Sequence, residues 1–315
     1  MEETLEINFK HTPVLLSECL TGLNIKPDGI YVDGTLGGGG HSGEILKKLT
    51  TGRLIAFDKD DDALKSTSIK LSKFNDHVTY IKDDFKNMYD DVKNLGIDGV
   101  DGILLDLGVS SYQIDTADRG FSYRFDAKLD MRMDRSAPLS AYDVVNTYSK
   151  DELLRILYTY GEENFAKPIV NKILLAREEK AIETTGELEK LVESAIPKKF
   201  WGRGNVAKKT FQAIRIEVNH ELDGLEEAIN KIIDLLNPSG RLAIITFHSL
   251  EDRIVKNVFK ERSSDCICDK TLPFCVCNHH SDVILVNKKP IEASREELQR
   301  NTRSSSAKLR IIQKK

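Results

Sequence analysis

Ile30-Tyr31-Val32-Asp33-Gly34-Thr35-Leu36-Gly37-Gly38-Gly39-Gly40-His41-Ser42 decides the reading of this chain. An apolar run ends in a carboxylate, four successive glycines follow, and Gly43 to Leu49 continues with the spacing of an amphipathic helix. Glycine adopts positive φ at little steric cost and lets backbone approach a ligand, while a helix start presents unpaired N–H groups. A plain strand-to-helix turn gains nothing from four glycines, because each one weakens it. The pattern predicts a strand, a nucleotide-cofactor loop and a helix.

Working outward, Gly38, Gly40 and Gly43 satisfy G-x-G-x-x-G, the dinucleotide fingerprint, which taken alone is a weak signal. Arg53 to Phe57 reads as a second strand ending at Asp58, placed to accept ribose hydroxyls. That pairing suits NAD and S-adenosylmethionine equally. Asp33 at the first strand end, and Asp83-Asp84-Phe85 after a third strand at His77 to Ile81, separate the two. An acidic group beside the methionine end and an aromatic or acidic contact to adenine favour S-adenosylmethionine.

The chain has 315 residues, 40% of them hydrophobic, enough for one large or two modest domains with a proper core. No apolar run approaches the ~18 residues of a membrane span, so no membrane association is expected. Met1 to Phe9 carries three glutamates and no hydrophobic signal core, and five cysteines are too few for a secreted disulfide scaffold. A cytoplasmic protein is expected. A net charge of -4 argues against general nucleic-acid binding, and DNA is not expected as a partner. Any RNA contact must come from local patches.

Two such patches occur. Lys198, Lys199, Arg203, Lys208, Lys209 and Arg215 lie in a stretch with no acidic residue, among Phe200, Trp201, Gly202 and Gly204. This mixture suits phosphates and stacked bases, and equally a solvated loop around a locally packed tryptophan. The tail holds Arg300, Arg303, Lys308, Arg310, Lys314 and Lys315, but Lys308 to Ile312 alternates like an edge or closing strand whose charges face solvent anyway.

A fourth strand, Gly102 to Leu105, ends in Asp106, and its unbroken apolar run fits a strand buried on both faces. The next core strand, Leu242 to Phe247, comes after a helix with apolar positions from Leu222 to Leu236 and a stop at Asn237-Pro238-Ser239-Gly240. One crossover needs only a dozen or more residues, so the long separation marks an insertion. Lys150 to Tyr160, Asn164 to Ile182 and Gly186 to Ile196 give it three helices, and Glu162-Glu163 reads as a helix start. Its entry, Gly120 to Arg135, mixes Phe121, Tyr123 and Phe125 with Arg124, Arg132 and Arg135, just after Arg119. That entry serves either substrate recognition or a packed strap. The whole reads as α/β: a doubly wound, Rossmann-like methyltransferase sheet with an inserted helical domain for substrate recognition.

Cys266, Cys268, Cys275 and Cys277 form two C-x-C pairs around Pro273, followed by His279 and His280. A zinc knuckle and free or redox-labile thiols both remain open, since zinc pairs more commonly leave two to four residues between ligands. The metal content is left unknown. Cys19, in an apolar stretch, reads as a small buried hydrophobe.

His11-Thr12-Pro13-Val14-Leu15-Leu16, the Asp33 to Ser42 loop, Leu105 to Gln113, Gly161-Glu162-Glu163, Phe211 to Arg215 and Phe247 to Arg253 together resemble the bacterial 16S ribosomal RNA cytosine-N4 methyltransferases. The resemblance runs from His11 to the tail. It implies methyl transfer from S-adenosylmethionine to the exocyclic amine of a decoding-centre cytidine, with 16S rRNA in the small ribosomal subunit as partner. It implies that Gly39, Gly40 and His41 cradle the methionine part, Asp58 the ribose and Phe85 the adenine, with Asp106 and Gln113 completing the cofactor site. Domains of 1–112 with 209–315, and 113–208, follow from it.

Displacement at an activated sulfonium methyl mainly needs alignment, whereas the delocalised cytosine amine needs an acceptor for its proton. The Asn-Pro-Pro-aromatic motif of many amino-methylating enzymes is absent, and Asp106-Leu107-Gly108 stands there instead. Asp106 and His248 are the candidate acceptors, His248 having an equally ready structural role. A nicotinamide oxidoreductase lacks an identifiable hydride-transfer site. A non-catalytic RNA-binding assembly factor that retains the cofactor fold is the remaining alternative.

Overall fold

The computed structural model describes residues 13–202, 204–269, 271–272 and 274–315. Met1 to Phe9, the His11-Thr12 start of the first block, Arg203 and Pro273 therefore lie outside the described residues. The chain runs through α1 (Leu16–Leu23), β1 (Ile30–Asp33), α2 (Gly40–Leu46), β2 (Arg53–Asp58), α3 (Asp61–Lys70), β3 (Val78–Lys82), α4 (Met88–Asn94) and β4 (Val100–Asp106). Six helices follow: α5 (Ser111–Asp115), α6 (Ala141–Thr147), α7 (Lys150–Thr159), α8 (Ala166–Glu179), α9 (Thr185–Ala195) and α10 (Lys208–Asn219). It returns through α11 (Leu225–Asp234), β5 (Leu236–Thr246), α12 (Ser249–Arg262), β6 (Val283–Leu285), α13 (Arg295–Arg300) and β7 (Lys308–Lys314).

The strands form one sheet in the order β3-β2-β1-β4-β5-β7-β6. β1 to β5 are parallel, and β7 runs antiparallel to both β5 and β6. Leu54 to Phe57 and Ile103 to Leu105 are wholly buried, as unbroken apolar runs require when both sheet faces are covered. The doubly wound α/β sheet read from the sequence is present. Its order reverses between β1 and β4, which opens a crevice at their carboxyl ends.

Two details differ from the sequence reading. β5 begins at Leu236, paired with Val100, and resumes at Arg241 opposite Gly102, so the predicted stop at Asn237–Gly240 is an excursion within the strand. β7 is no edge, because β6 covers its outer side. Two of the tail's charges are paired inside the fold: Arg310 grips Asp252 at 2.7 and 3.1 Å, and Lys314 reaches Asp282 at 2.8 Å.

The chain divides into two compact units, residues up to Gly108 with Gly224–Lys315, and Val109–Asp223. The expected boundaries at 112/113 and 208/209 fall elsewhere because α10 packs with the insert. Its Phe211, Ala213, Ile214 and Val218 share a core with Leu153, Ile156, Ile169, Leu188 and Val192. An amphipathic helix next to a boundary shows which face it buries, not which core receives it. Ser149 and Thr184 start α7 and α9 through capping boxes. Glu162-Glu163 is not a helix start: α8 begins at Ala166, and Glu163 accepts the Phe165 N–H at 2.8 Å in the preceding turn. Cys19 is fully buried. Among the described residues no helix is long and apolar enough to cross a membrane.

Candidate cofactor and catalytic site

Three carboxylates stand at the carboxyl ends of adjacent parallel strands: Asp33 on β1, Asp58 on β2 and Asp106 on β4. Asp33 is level with Ala56 and Leu104, so Asp58 and Asp106 each project two residues further on either side of it. The two-residue period of a strand turns all three toward one face.

The glycine loop is strapped across these ends. Gly34 N–H donates to the Leu104 carbonyl at 2.9 Å and Leu36 N–H to the Phe57 carbonyl at 2.8 Å. Thr35 Oγ1 accepts the Asp106 N–H at 2.6 Å, and Gly37 N–H donates to Asp58 Oδ2 at 2.8 Å. Asp33 holds the loop from beneath, accepting from Ser42 Oγ at 2.6 Å and Thr35 N–H at 3.1 Å. The glycines serve different purposes. Gly37 and Gly39 take positive φ. A Cβ on Gly39 would lie 2.3 Å from Thr67 Cγ2, and one on Gly40 would lie 2.3 Å from Pro13 Cγ, whereas one on Gly38 would meet nothing within 4 Å. Gly39 N–H closes a turn onto the Leu36 carbonyl at 2.8 Å, so this residue contributes shape.

Burial pushes Asp58 and Asp106 up to about 6 and raises Asp33 as well. For Asp58 the N–H groups of Asp60 and Gly37 oppose that rise. For Asp106 the nearby His41 opposes it, while the charges of Asp33 and Glu251 reinforce it. His41 is buried; its Nε2 donates to the Val14 carbonyl at 3.0 Å, and its Nδ1 lies 3.8 Å from Asp106 Oδ2. The other oxygen of that carboxylate, Oδ1, is covered and has no hydrogen-bond partner among the described residues, although 26% of the side chain remains exposed. Phe85 opens a short 3-10 turn after β3, with its Cβ 3.1 Å from where a Gly34 Cβ would stand. The structure thus gathers Gly39, Gly40, His41, Asp58, Phe85 and Asp106 around the ends of β1, β2 and β4.

Two further predicted residues are His248 and Gln113. His248, at the end of β5, is the N-cap of α12: Nδ1 accepts the Glu251 N–H at 3.4 Å. Its Nε2 is 3.0 Å from Glu251 Oε1, an ion-pair distance whose geometry is not that of a hydrogen bond. Gln113 belongs to the second unit, where it is buried at the start of α5 and completes a capping box with Ser110 at 3.0 and 3.2 Å. Sequence reasoning missed Thr35, Ser42 and Val14. The first two hydroxyls flank Asp33 and were visible as potential donors, whereas nothing in a sequence marks the carbonyl of Val14.

Within the second unit, the entry segment is largely a strap. Arg119 is buried and donates to the carbonyls of Arg132 and Met133, and Arg132 grips Asp130. Arg215 is likewise held by Glu221, and Lys209 donates to the Glu162 carbonyl. Lys198, Lys199, Phe200, Trp201 and Lys208 remain exposed, with Trp201 Nε1 tied to the Ile196 carbonyl.

The first unit's residues fit a cationic ligand. Among the described residues the one basic group paired with any of the three strand-end carboxylates is His41. A positive charge brought beside them would offset the desolvation that raises their pKa values. The exposed quarter of the Asp106 side chain and the open space over Gly38 leave room for a ligand on the loop.

Residues 8–315 match the model of the MraW methylase family. A protein of Finegoldia magna named ribosomal RNA small subunit methyltransferase H is 56% identical over 98% of this chain and 99% of its own. One of the same name from Clostridioides difficile is 53% identical over 98% and 100%. A solved rRNA methylase from Streptococcus thermophilus aligns over 95% of this chain and 94% of its own at a TM-score of 0.40 and 15% identity, too distant to add to these. With a family match spanning nearly all of its length and full-length relatives above half identity, this chain belongs to the MraW methylase family.

Proposed function

We propose that this protein transfers a methyl group from S-adenosylmethionine to the N4 amine of a decoding-centre cytidine in 16S rRNA, acting in the cytoplasm on the small ribosomal subunit. The relatives' names support an rRNA substrate, and the resemblance of the sequence blocks supplies the cytidine and its N4 position. The observation that carries the chemistry is Asp106, a half-buried carboxylate at the switch point of the sheet whose desolvation pushes its pKa up to about 6.

S-adenosylmethionine supplies an activated methyl group. Asp58 keeps lone pairs after accepting from Gly37 and Asp60, enough for ribose hydroxyls. Phe85 offers a ring face for adenine, and the Gly37 to Gly40 turn shapes the seat for the methionine part. The resemblance adds Gln113 to these contacts. The Asp106 carboxylate, through its exposed part, accepts an N–H of the cytosine amine, which localises the nitrogen lone pair, and then takes the proton. A pKa of about 6 leaves the carboxylate ionised at neutral pH yet basic enough to hold a proton transiently. His41, fixed by Val14, stands 3.8 Å from Oδ2 and steadies that carboxylate. Both nitrogens of His248 face Glu251, which favours Asp106 as acceptor and His248 as a helix cap. In the second unit, Lys198, Lys199, Lys208, Phe200 and Trp201 form the surface proposed to meet RNA.

The test is transfer of labelled methyl to small subunits from cells lacking this protein, followed by nucleoside analysis. N4-methylated cytidine, absent with Asp106→Asn, is the expected result. Label on another atom refutes the target, and cofactor binding without any transfer refutes catalysis in favour of the assembly-factor reading.

A further inference from the structure

The loop 263–282 between α12 and β6 contains the four cysteines that methyl transfer leaves unused. Ordinary contacts close its base: Asp282 N–H donates to the Arg262 carbonyl at 3.1 Å, Arg262 Nε donates to Asp282 at 2.9 Å, and Ser281 bonds to Asp265. Beyond that base the described residues form no apolar core, since Ile267, Leu272, Phe274 and Val276 are all exposed. What converges instead is sulfur. Cys275 and Cys277 Sγ are 3.5 Å apart, Cys266 and Cys277 3.9 Å, and Cys268 and Cys275 4.0 Å, and all four lie within 4.8 Å of one another.

A tetrahedral zinc ion with Zn–S bonds of about 2.3 Å requires sulfurs about 3.8 Å apart, and the observed separations bracket that edge. The C-x-C spacing fits because residues i and i+2 of an extended segment face one side, so each pair supplies two sulfurs to the same centre. The backbone supports negative charge there. The residue inside each pair donates its N–H across to the other pair, Ile267 to Cys277 Sγ at 3.5 Å and Val276 to Cys268 Sγ at 3.3 Å. No two sulfurs are at bonding distance, and four thiols at an exposed tip gain nothing from meeting without an ion.

We propose that Cys266, Cys268, Cys275 and Cys277 form a tetrathiolate zinc site that acts as the core of this loop. Four protein ligands fill the tetrahedron, so the site is structural and leaves no position for substrate. His279 is not needed, and its ring is directed to the Glu261 carbonyl at 3.0 Å.

Metal analysis of the full-length chain, incubated with zinc ions and then dialysed, tests this. About one zinc per chain is expected for the wild type, with near-complete loss in Cys268→Ser/Cys275→Ser. Cobalt(II) exchange should give the intense visible absorption of a tetrahedral thiolate site in the wild type alone. Chelation should expose loop 263–282 to protease, and added zinc should restore protection. Wild-type protein that takes up no zinc and shows four freely titrating thiols overturns the proposal, as do two disulfides found by mass analysis. Should the variant fail to fold, the wild-type zinc count and cobalt spectrum decide alone.

Discussion

Replacing Gly39 by alanine is expected to destabilise the sheet unit by roughly 2–5 kcal/mol. Two costs combine. Gly39 sits at φ 66°, ψ 23°, where a Cβ costs roughly 1–2 kcal/mol. The new methyl would stand 2.3 Å from Thr67 Cγ2, an overpacking cost of about 1–3 kcal/mol. Thr67 cannot turn aside cheaply, because it is β-branched within α3 and its hydroxyl donates to the Gly37 carbonyl at 2.8 Å. Thr67→Ser removes the offending methyl and keeps the hydroxyl. In the double variant the steric part should therefore vanish while the φ penalty remains, a coupling of about 1–3 kcal/mol in a double-mutant cycle. Native-state hydrogen exchange of the β1, β2 and β4 amides is the suitable assay, since Trp201 lies in the other unit and reports on the wrong core. Gly38→Ala is the control: it meets open space, so stability should stay within about 0.5 kcal/mol, while S-adenosylmethionine affinity should fall because the proposed seat for the methionine part lies on this turn. Gly39→Ala as stable as the wild type, or no coupling to Thr67, would refute the reasoning.

Asp106→Asn should trade activity for stability. The carboxyl titrates at about 6 in the fold against an ordinary 3.8, so the fold binds the extra proton and loses on the order of 3 kcal/mol as pH rises through that window. The neutral variant should melt higher than wild type at pH 8, match it below pH 3.8, and transfer methyl at least about 100-fold more slowly; a lower melting temperature at pH 8 would contradict the burial argument. In the wild type, kcat/KM should fall below pH 6 as Asp106 protonates in the free protein, while the kcat profile should break at lower pH, because the bound sulfonium charge lowers that pKa. Replacing Lys198, Lys199 and Lys208 together by alanine should weaken RNA binding and reduce the slope of log K against log salt by about 2–3, with cofactor affinity unchanged. An unaltered salt slope in filter binding removes that surface from the RNA interface.

The local signals were strong in this chain because parallel strands buried on both faces must be apolar throughout. β1, β2 and β4 and helices α7 to α9 could be read from runs and periodicity within a residue or a few of their ends. The glycine loop, Asp58 and Asp106 were legible for the same reason, since a carboxylate ending an apolar run is a local event. Other features depend on distant partners. β6 has three residues, too few to show alternation, and exists because β7 offers an edge. The basic tail looked like a candidate nucleic-acid patch until Asp252 and Asp282 appeared beside Arg310 and Lys314.

Residue order by itself determined the core of parallel strands and the glycine-rich loop at their carboxyl ends, because strand, turn and helix preferences act over a few neighbours. Tertiary structure alone decided that α10 joins the insert's core and that Gly39 and Gly40 yield to Thr67 and Pro13. It also decided that four spaced cysteines share one centre and that one oxygen of Asp106 is left without a partner. Each of those depends on which surfaces meet across long separations in sequence, and contact between distant groups is set by packing, which periodicity does not encode.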